Sequence, residues 1–335
     1  MLKIAVIGLG DISKTHISAI QANPNVELVA VCDSDELLRE SVPHVNFYRD
    51  FHDMLKKEAL DCVHICLPHY LHHPATKACI ENGVNVFLEK PISLNTIEGI
   101  ELVRLEKKHQ DIKICVCFQN RYNESFEMLK EFAQSGQCGN LIGIKGLVTW
   151  FRPKSYYDRK PWRGSMKHAG GGVMINQALH TLDLMQLLGG EIESIRGSID
   201  QLLDYGIDVE DTATAHIKFK NGAKGLFFAT VANAENSSVE FKVIFEKETF
   251  TIKDGILSRI DENGLNEELL VDKKVLGTKF YYGASHAKLI NHFYSCIINN
   301  TQNYVHVEDA LTSIKMIDAI RQSSEAKKEI KMEDL

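Results

Sequence analysis

The stretch that most constrains the fold is Met1 to Asp33, MLKIAVIGLGDISKTHISAIQANPNVELVAVCD. An apolar run ending at Ile7 meets Gly8-Leu9-Gly10-Asp11-Ile12-Ser13, a helix-like segment follows, and a second apolar run closes at Cys32. Strand, glycine turn, helix and strand in that order open a dinucleotide-binding βαβ unit. Gly8 lets the chain turn sharply off the strand and Gly10 lets it approach a pyrophosphate. Asp11 and Ile12 lead into a helix whose first amides face the phosphates. Asp33 stands 23 residues beyond Gly10, where a carboxylate at a strand tip accepts ribose hydroxyls. The third glycine position holds Ser13, small enough for close helix packing. Asp33 would repel a 2′-phosphate and no Lys or Arg follows before Arg39, so the expected cofactor is NAD rather than NADP.

At 335 residues the chain exceeds what one hydrophobic core organises, which implies two domains. Strands and helices alternate as far as the run Ile112 to Phe118, predicting a doubly wound parallel sheet over residues 1–120. Past Gln119-Asn120-Arg121 the pattern changes to longer alternating segments, so 121–335 is read as a mostly antiparallel sheet domain with helices. Asn221-Gly222 marks a hairpin within it. Two helices are expected there besides Ser125 to Gln134: Gly172 to Leu188, introduced by Gly170-Gly171-Gly172, and Val307 to Ser323.

A formal net charge of −7 argues against a nucleic-acid partner. No apolar run reaches membrane-spanning length and the N-terminus enters a strand at once, so a cytoplasmic protein with no membrane partner is expected. The 8 cysteines fall largely in apolar runs, where free cysteine acts as a small buried hydrophobe. Cys62 and Cys66 with His64, His69, His72 and His73 raise a metal site. A strand buried in a parallel sheet is a poor place for an open ligand set, and the reading is no metal.

Three constellations lie at strand ends or beside the second domain. Lys90, in Glu89-Lys90-Pro91, stands at the carboxyl end of a parallel strand, where it points into a ligand crevice, and Pro91 could make a cis bond. Asn176 and His180 are spaced to share one face of the helix after the glycines. Pro68-His69-Tyr70-Leu71-His72 either lines the nicotinamide site or caps the next helix.

Taken together, GLGDIS, LPHYLHHP, the EKP triplet, QNRYN and GGGVMINQALHTLD resemble the Gfo/Idh/MocA oxidoreductases, nearly end to end and in the family's order. The resemblance implies a Rossmann domain plus an open-faced sheet domain for substrate binding and oligomerisation. It also implies NAD(P) and the oxidation or reduction of a sugar or polyol carbinol. Lys90 matches the family's catalytic lysine and His180 its catalytic histidine. Asn176 departs from the aspartate often found there; it can hydrogen-bond but hold neither proton nor charge.

Hydride transfer from a carbinol needs a base for the hydroxyl proton and a group that stabilises alkoxide character. His180 is assigned as the proton acceptor, Lys90 as the cation and Asn176 as a substrate-positioning group. Arg121, Tyr157, Trp162 and Arg163 are further candidates for substrate contact, and Glu89, Pro68, His69 and His72 for cofactor contact. The segment Arg152 to His168 carries six Lys and Arg against one acid, a local net of +5, with Tyr156, Tyr157 and Trp162 among them. The plainer reading, a solvated loop whose charges pair with nearby acids, leads. The sharper one is a cover that selects an anionic substrate such as a sugar acid, sugar phosphate or nucleotide sugar. Two other functions stand beside the dehydrogenase: a ligand-sensing regulator that keeps the dinucleotide fold, and an NAD-dependent glycosidase. A homodimer or homotetramer is expected.

Overall fold

The computed structural model describes residues 1–273 and 285–335. They divide into two compact units, 1–119 with 284–311 and 120–283 with 312–335. The first holds six parallel strands: β1 (Leu2–Ile7), β2 (Val26–Cys32), β3 (Asn46–Tyr48), β4 (Cys62–Ile65), β5 (Asn85–Leu88) and β6 (Ile114–Val116). Their order is β3-β2-β1-β4-β5-β6. Ile4 to Ile7 and Cys62 to Ile65 are at most 1% exposed, so these strands are covered on both faces, with His64 the one polar side chain among them. The order reverses between β1 and β4, and ligands of such sheets bind at the strand carboxyl ends beside that point.

The helix Ser285–Ile298 packs against the helix Ser13–Gln21 and belongs to this first unit, not to a continuous 121–335 domain. Leu289, Ile290, Phe293 and Tyr294 form its buried stripe, spaced so that they share one helical face. The sequence reading passed over this helix.

The second unit is built on nine strands: β7 (Leu141–Thr149), β8 (Ile192–Asp200), β9 (Thr212–Phe219), β10 (Lys224–Thr230), β11 (Glu240–Phe245), β12 (Thr249–Lys253), β13 (Ile256–Ile260), β14 (Asn266–Val271) and β15 (Ile330–Lys331). The order is β14-β13-β12-β11-β7-β10-β9-β8-β15, antiparallel except where β7 meets β10. In β9, Ala213, Ala215, Ile217 and Phe219 are buried while Thr214, His216 and Lys218 face outward, the period of a sheet with one covered face. Asn221-Gly222 turns β9 into β10, as expected, with Gly222 at φ +90°. Among the described residues no helix is long and apolar enough to cross a membrane.

Candidate active site

The glycine turn is shaped by two glycines used differently. Gly8 sits at φ +90°, and a Cβ there would lie 2.6 Å from the Cys66 carbonyl oxygen. At Gly10 a Cβ would meet nothing within 4 Å, so the backbone borders open ground that suits a pyrophosphate. Ser13 Oγ donates to the Gly10 carbonyl at 2.7 Å and tightens the entry to the helix Ser13–Gln21. Asp33 Oδ2 accepts from the Leu9 amide at 2.7 Å and Oδ1 from the Asp35 amide at 3.0 Å, so this carboxylate braces the turn and still has lone pairs for a ribose. Burial, then Asp33 and Asp50, push the Cys32 thiol up to about 12. Arg39 is turned to Glu36 and the Phe47 ring. These residues fit a dinucleotide without a 2′-phosphate.

At the end of β4, Pro68 opens a short turn over His69–Leu71 that runs into the helix His72–Glu81. His72 lies between two strand ends, with Nδ1 2.6 Å from the Pro91 carbonyl oxygen and Nε2 2.7 Å from that of Leu67; the neutral ring donates to one of the two. Burial lowers its pKa, against the two carbonyls and Glu89. His69 is buried with its ring 5.8 Å from that of His72. Of the two readings of this turn, the geometry favours the structural one for His72. Lys90, half-buried after β5, is joined to Pro91 by a cis peptide bond.

Behind Lys90 lies a buried polar chain that sequence reasoning missed. Glu89 Oε1 is 2.9 Å from His16 Nε2, His16 Nδ1 is 2.8 Å from His64 Nδ1, and His64 Nε2 is 2.7 Å from the Tyr294 hydroxyl. Burial alone would raise the Glu89 pKa; the His16 hydrogen bond leads the effects that outweigh it and hold the carboxyl well below its usual range. Burial lowers His64, and raises Tyr294 and the Cys117 thiol. His16, Glu89 and Cys117 bring ligand atoms within 4.8 Å of one another. In the structure His16 Nε2 is taken up by the Glu89 carboxylate at 2.9 Å. Cys62, Cys66 and His64 are core groups of the sheet.

In the second unit the expected helix Gly172 to Leu188 is two helices, Val173–Asn176 and Leu179–Gly189. The Ala178 amide reaches back to the Val173 carbonyl at 2.9 Å and the helical ladder breaks there, so Asn176 and His180 do not share one continuous helix face. The glycine loop before them is held by Glu210: its carbonyl accepts from the Val173 amide at 3.0 Å and Oε1 from the Met174 amide at 3.2 Å. A Cβ on Gly172 would fall 1.8 Å from the Glu210 carbonyl oxygen, which requires glycine. Arg121 grips Asp183 on the His180 helix, so the structure shows it bracing that helix.

The basic loop is an arginine–aromatic stack. The Arg152 guanidinium lies 4.8 Å from the Trp150 ring centre and 5.5 Å from that of Tyr156; Arg163 lies 4.2 Å from Tyr156 and 5.8 Å from Trp162. Gln177 Nε2 donates to the Tyr156 hydroxyl at 3.2 Å, tying the stack to the residue after Asn176. Tyr157 is 6% exposed and packs on Tyr156 and Tyr205, so its ring is taken up within the fold.

Residues 2–136 match the profile described as oxidoreductase family, NAD-binding Rossmann fold, and residues 126–251 that of the GFO/IDH/MocA C-terminal domain. The chain is 28% identical over 236 residues to myo-inositol 2-dehydrogenase of Thermotoga maritima, covering 67% of each. It is 26% identical over 332 residues to the scyllo-inositol 2-dehydrogenase (NAD(+)) of Bacillus subtilis, covering 94% of this chain and 92% of that one. The solved structure of the WlbA dehydrogenase from Bordetella pertussis, in complex with NADH and UDP-GlcNAcA, superposes with a TM-score of 0.85 at 25% identity, covering 98% of both chains.

Proposed function

The chain belongs to the Gfo/Idh/MocA oxidoreductase family, with its NAD-binding Rossmann fold, and from that premise we propose that it transfers a hydride between nicotinamide and a carbinol carbon of a sugar, polyol or sugar derivative. The observation that carries the reading is the glycine turn, open at Gly10 and braced by the Asp33 carboxylate, in a sheet whose strand β5 ends two residues before Lys90. NAD supplies the hydride acceptor when bound. His180 takes the hydroxyl proton, Lys90 orients and polarises the oxygen, and Asn176 hydrogen-bonds substrate. Magnitudes decide the division of roles. Free lysine, at a pKa of ~10.4, would need about three units of depression, roughly 4 kcal/mol, to serve as resting base near neutrality, whereas histidine at ~6.5 needs almost none.

Incubation with NAD and a panel of inositols, neutral sugars and sugar acids, followed by nicotinamide absorbance, tests the reading. Silence across the panel while NAD still binds would sink it in favour of a sensor. A chromogenic glycoside cleaved only with NAD present would point to the glycosidase.

A second, finer reading is that the substrate is anionic. It is supported by Arg152 and Arg163 stacked about Tyr156, one hydrogen bond from Gln177 beside Asn176. The likeness to the WlbA dehydrogenase, crystallised with a nucleotide sugar acid, points the same way. A guanidinium stacked on a ring presents its N–H groups edge-on, the geometry that carboxylate or phosphate takes up, although Arg152 spends Nη1 on the Phe151 carbonyl at 2.8 Å and on Asn236 Oδ1 at 2.9 Å. Neutral polyols turning over as well as anionic sugars, with no salt dependence of kcat/KM, would overturn this. We also read the chain as a homo-oligomer, supported by Leu226, Ile244 and Ile260 on the open side of the nine-stranded sheet; light scattering tests it.

A further inference from the structure

We propose that the Glu89 carboxylate, oriented by the Tyr294–His64–His16 chain, is the positioning residue for Lys90 and keeps it the cation of the site. The inference rests on the dehydrogenase reading only for what Lys90 does to substrate. Four polar groups are buried in line inside an otherwise apolar sheet, with contacts of 2.7 to 2.9 Å. Burying such groups is costly unless each is paired, and here one assignment of hydrogens pairs them all. With Glu89 a carboxylate, His16 donates to it from Nε2 and accepts at Nδ1 from His64 Nδ1–H, and His64 accepts at Nε2 from the Tyr294 hydroxyl. The chain therefore donates in one direction and ends on the carboxylate. Its second oxygen, Oε2, accepts from the Lys90 amide at 3.2 Å.

The groups that face Glu89 are His16 from the glycine-turn helix, His64 and Cys66 from β4 and its end, and Cys117 after β6. His72 from the helix after Pro68, His286 from the helix Ser285–Ile298, and Lys90 itself complete the set. Lys90 is also felt by His72 and His286. Burial holds His64, His72 and His286 below the ordinary histidine range, so Glu89 is the one carboxylate in that set. The ammonium of Lys90 favours ionised Glu89, and linkage makes the effect mutual: the carboxylate favours ammonium at Lys90. A lysine so held serves as electrostatic partner and leaves proton acceptance to His180.

The titration of Lys90 can be read without turnover, from the pH dependence of trace acetic-anhydride labelling followed by peptide mass spectrometry. In the native protein Lys90 should titrate at or above the free-lysine value of ~10.4, and a midpoint near 7 to 8 would overturn the proposal with no variant needed. Glu89→Gln should lower the midpoint by about one unit or more, giving roughly tenfold faster labelling near pH 9, and add an alkaline limb to the rate of NAD reduction. Glu89→Asp should restore the native midpoint in part. Superimposable labelling curves for native and Glu89→Gln protein would also overturn it. If no sugar in the panel reduces NAD, the dehydrogenase reading fails while the labelling shift still decides this one.

Discussion

Arg121 holds Asp183 through two hydrogen bonds, from Nε at 2.8 Å and from Nη2 at 2.6 Å, in a pair whose side chains are 11% and 1% exposed. Asp183 lies three residues after His180 on the helix Leu179–Gly189, so the pair fixes the helix that carries the assigned base. Asp183→Ala takes the carboxylate away from a largely buried guanidinium and should cost about 3 to 5 kcal/mol in urea melts. Replacing both partners with leucine and methionine should cost less than either single change. A loss under about 1 kcal/mol for Asp183→Ala would place the pair with exposed ion pairs and remove its bracing role.

Gly10 and Gly172 should separate under the same substitution. Gly172→Ala drives a methyl into the Glu210 carbonyl, backbone against backbone, and should destabilise the second unit by about 3 kcal/mol or prevent its folding. Gly10→Ala meets no protein atom, so the melting temperature should hold while the KM for NAD rises at least about tenfold, the methyl occupying ground meant for phosphate. Equal melting losses in the two variants would contradict this division.

What was legible in the sequence follows from how local each cause is. β1, β4 and β5 could be read because strands covered on both faces are mostly apolar, and the β9–β10 turn because Asn-Gly favours its backbone. β14 has no buried residue, so no alternation marks it. The break at Gln177-Ala178 carries neither glycine nor proline, and the i,i+4 reading of Asn176 with His180 failed on it. Gly8, Gly10 and Asp33 stand where the local chain turns and Lys90 just past a strand end, places that the sequence alone locates. Glu89 depends on His16, 73 residues away, and Tyr294 meets His64 across 230; Arg121 meets Asp183 across 62. Pairings at such separations leave no periodic trace, although the stripe Leu289, Ile290, Phe293, Tyr294 was open to reading.

Cofactor choice should rest on Asp33. The native protein should prefer NAD over NADP, because a 2′-phosphate would meet the Asp33 carboxylate and Arg39 is engaged with Glu36 and Phe47. Asp33→Asn keeps an acceptor for the Leu9 amide and should narrow the preference, whereas Asp33→Ala also frees that amide and should weaken both cofactors. Equal KM values for NAD and NADP in the native protein would refute the assignment.

If His180 is the base, the oxidation rate should rise with pH through an apparent pKa of roughly 6 to 7, since only neutral imidazole accepts the hydroxyl proton. His180→Ala should cut kcat by about 10² to 10⁴ and leave NAD affinity nearly unchanged. Lys90→Ala should cost as much, and Lys90→Arg should not restore the rate because a planar guanidinium cannot replace a compact ammonium. A pH profile that survives His180→Ala would move the base elsewhere.

Acid should unfold the first unit early, and the sign follows from its histidines. Burial is the leading cause that lowers His64, His72 and His286, the last from 6.5 to about 4. Between those two pH values the unfolded chain binds protons that the folded unit refuses, so stability falls as pH falls through the window and is complete above it. For His286 alone the gap is worth roughly 3 kcal/mol. Glu89, held low in the folded state, keeps its contribution above the ordinary carboxylate pKa and adds a second decline only below it. Urea melts of the intact chain at pH 7.5, 6, 5 and 4.5 should show the first decline, and His286→Gln should flatten it by removing one proton from the unfolded state's uptake. Stability that stays level from pH 7.5 to 4.5 would mean that these histidines take up protons in the fold at the same pH as in the unfolded chain, and their burial as neutral rings would then be refuted.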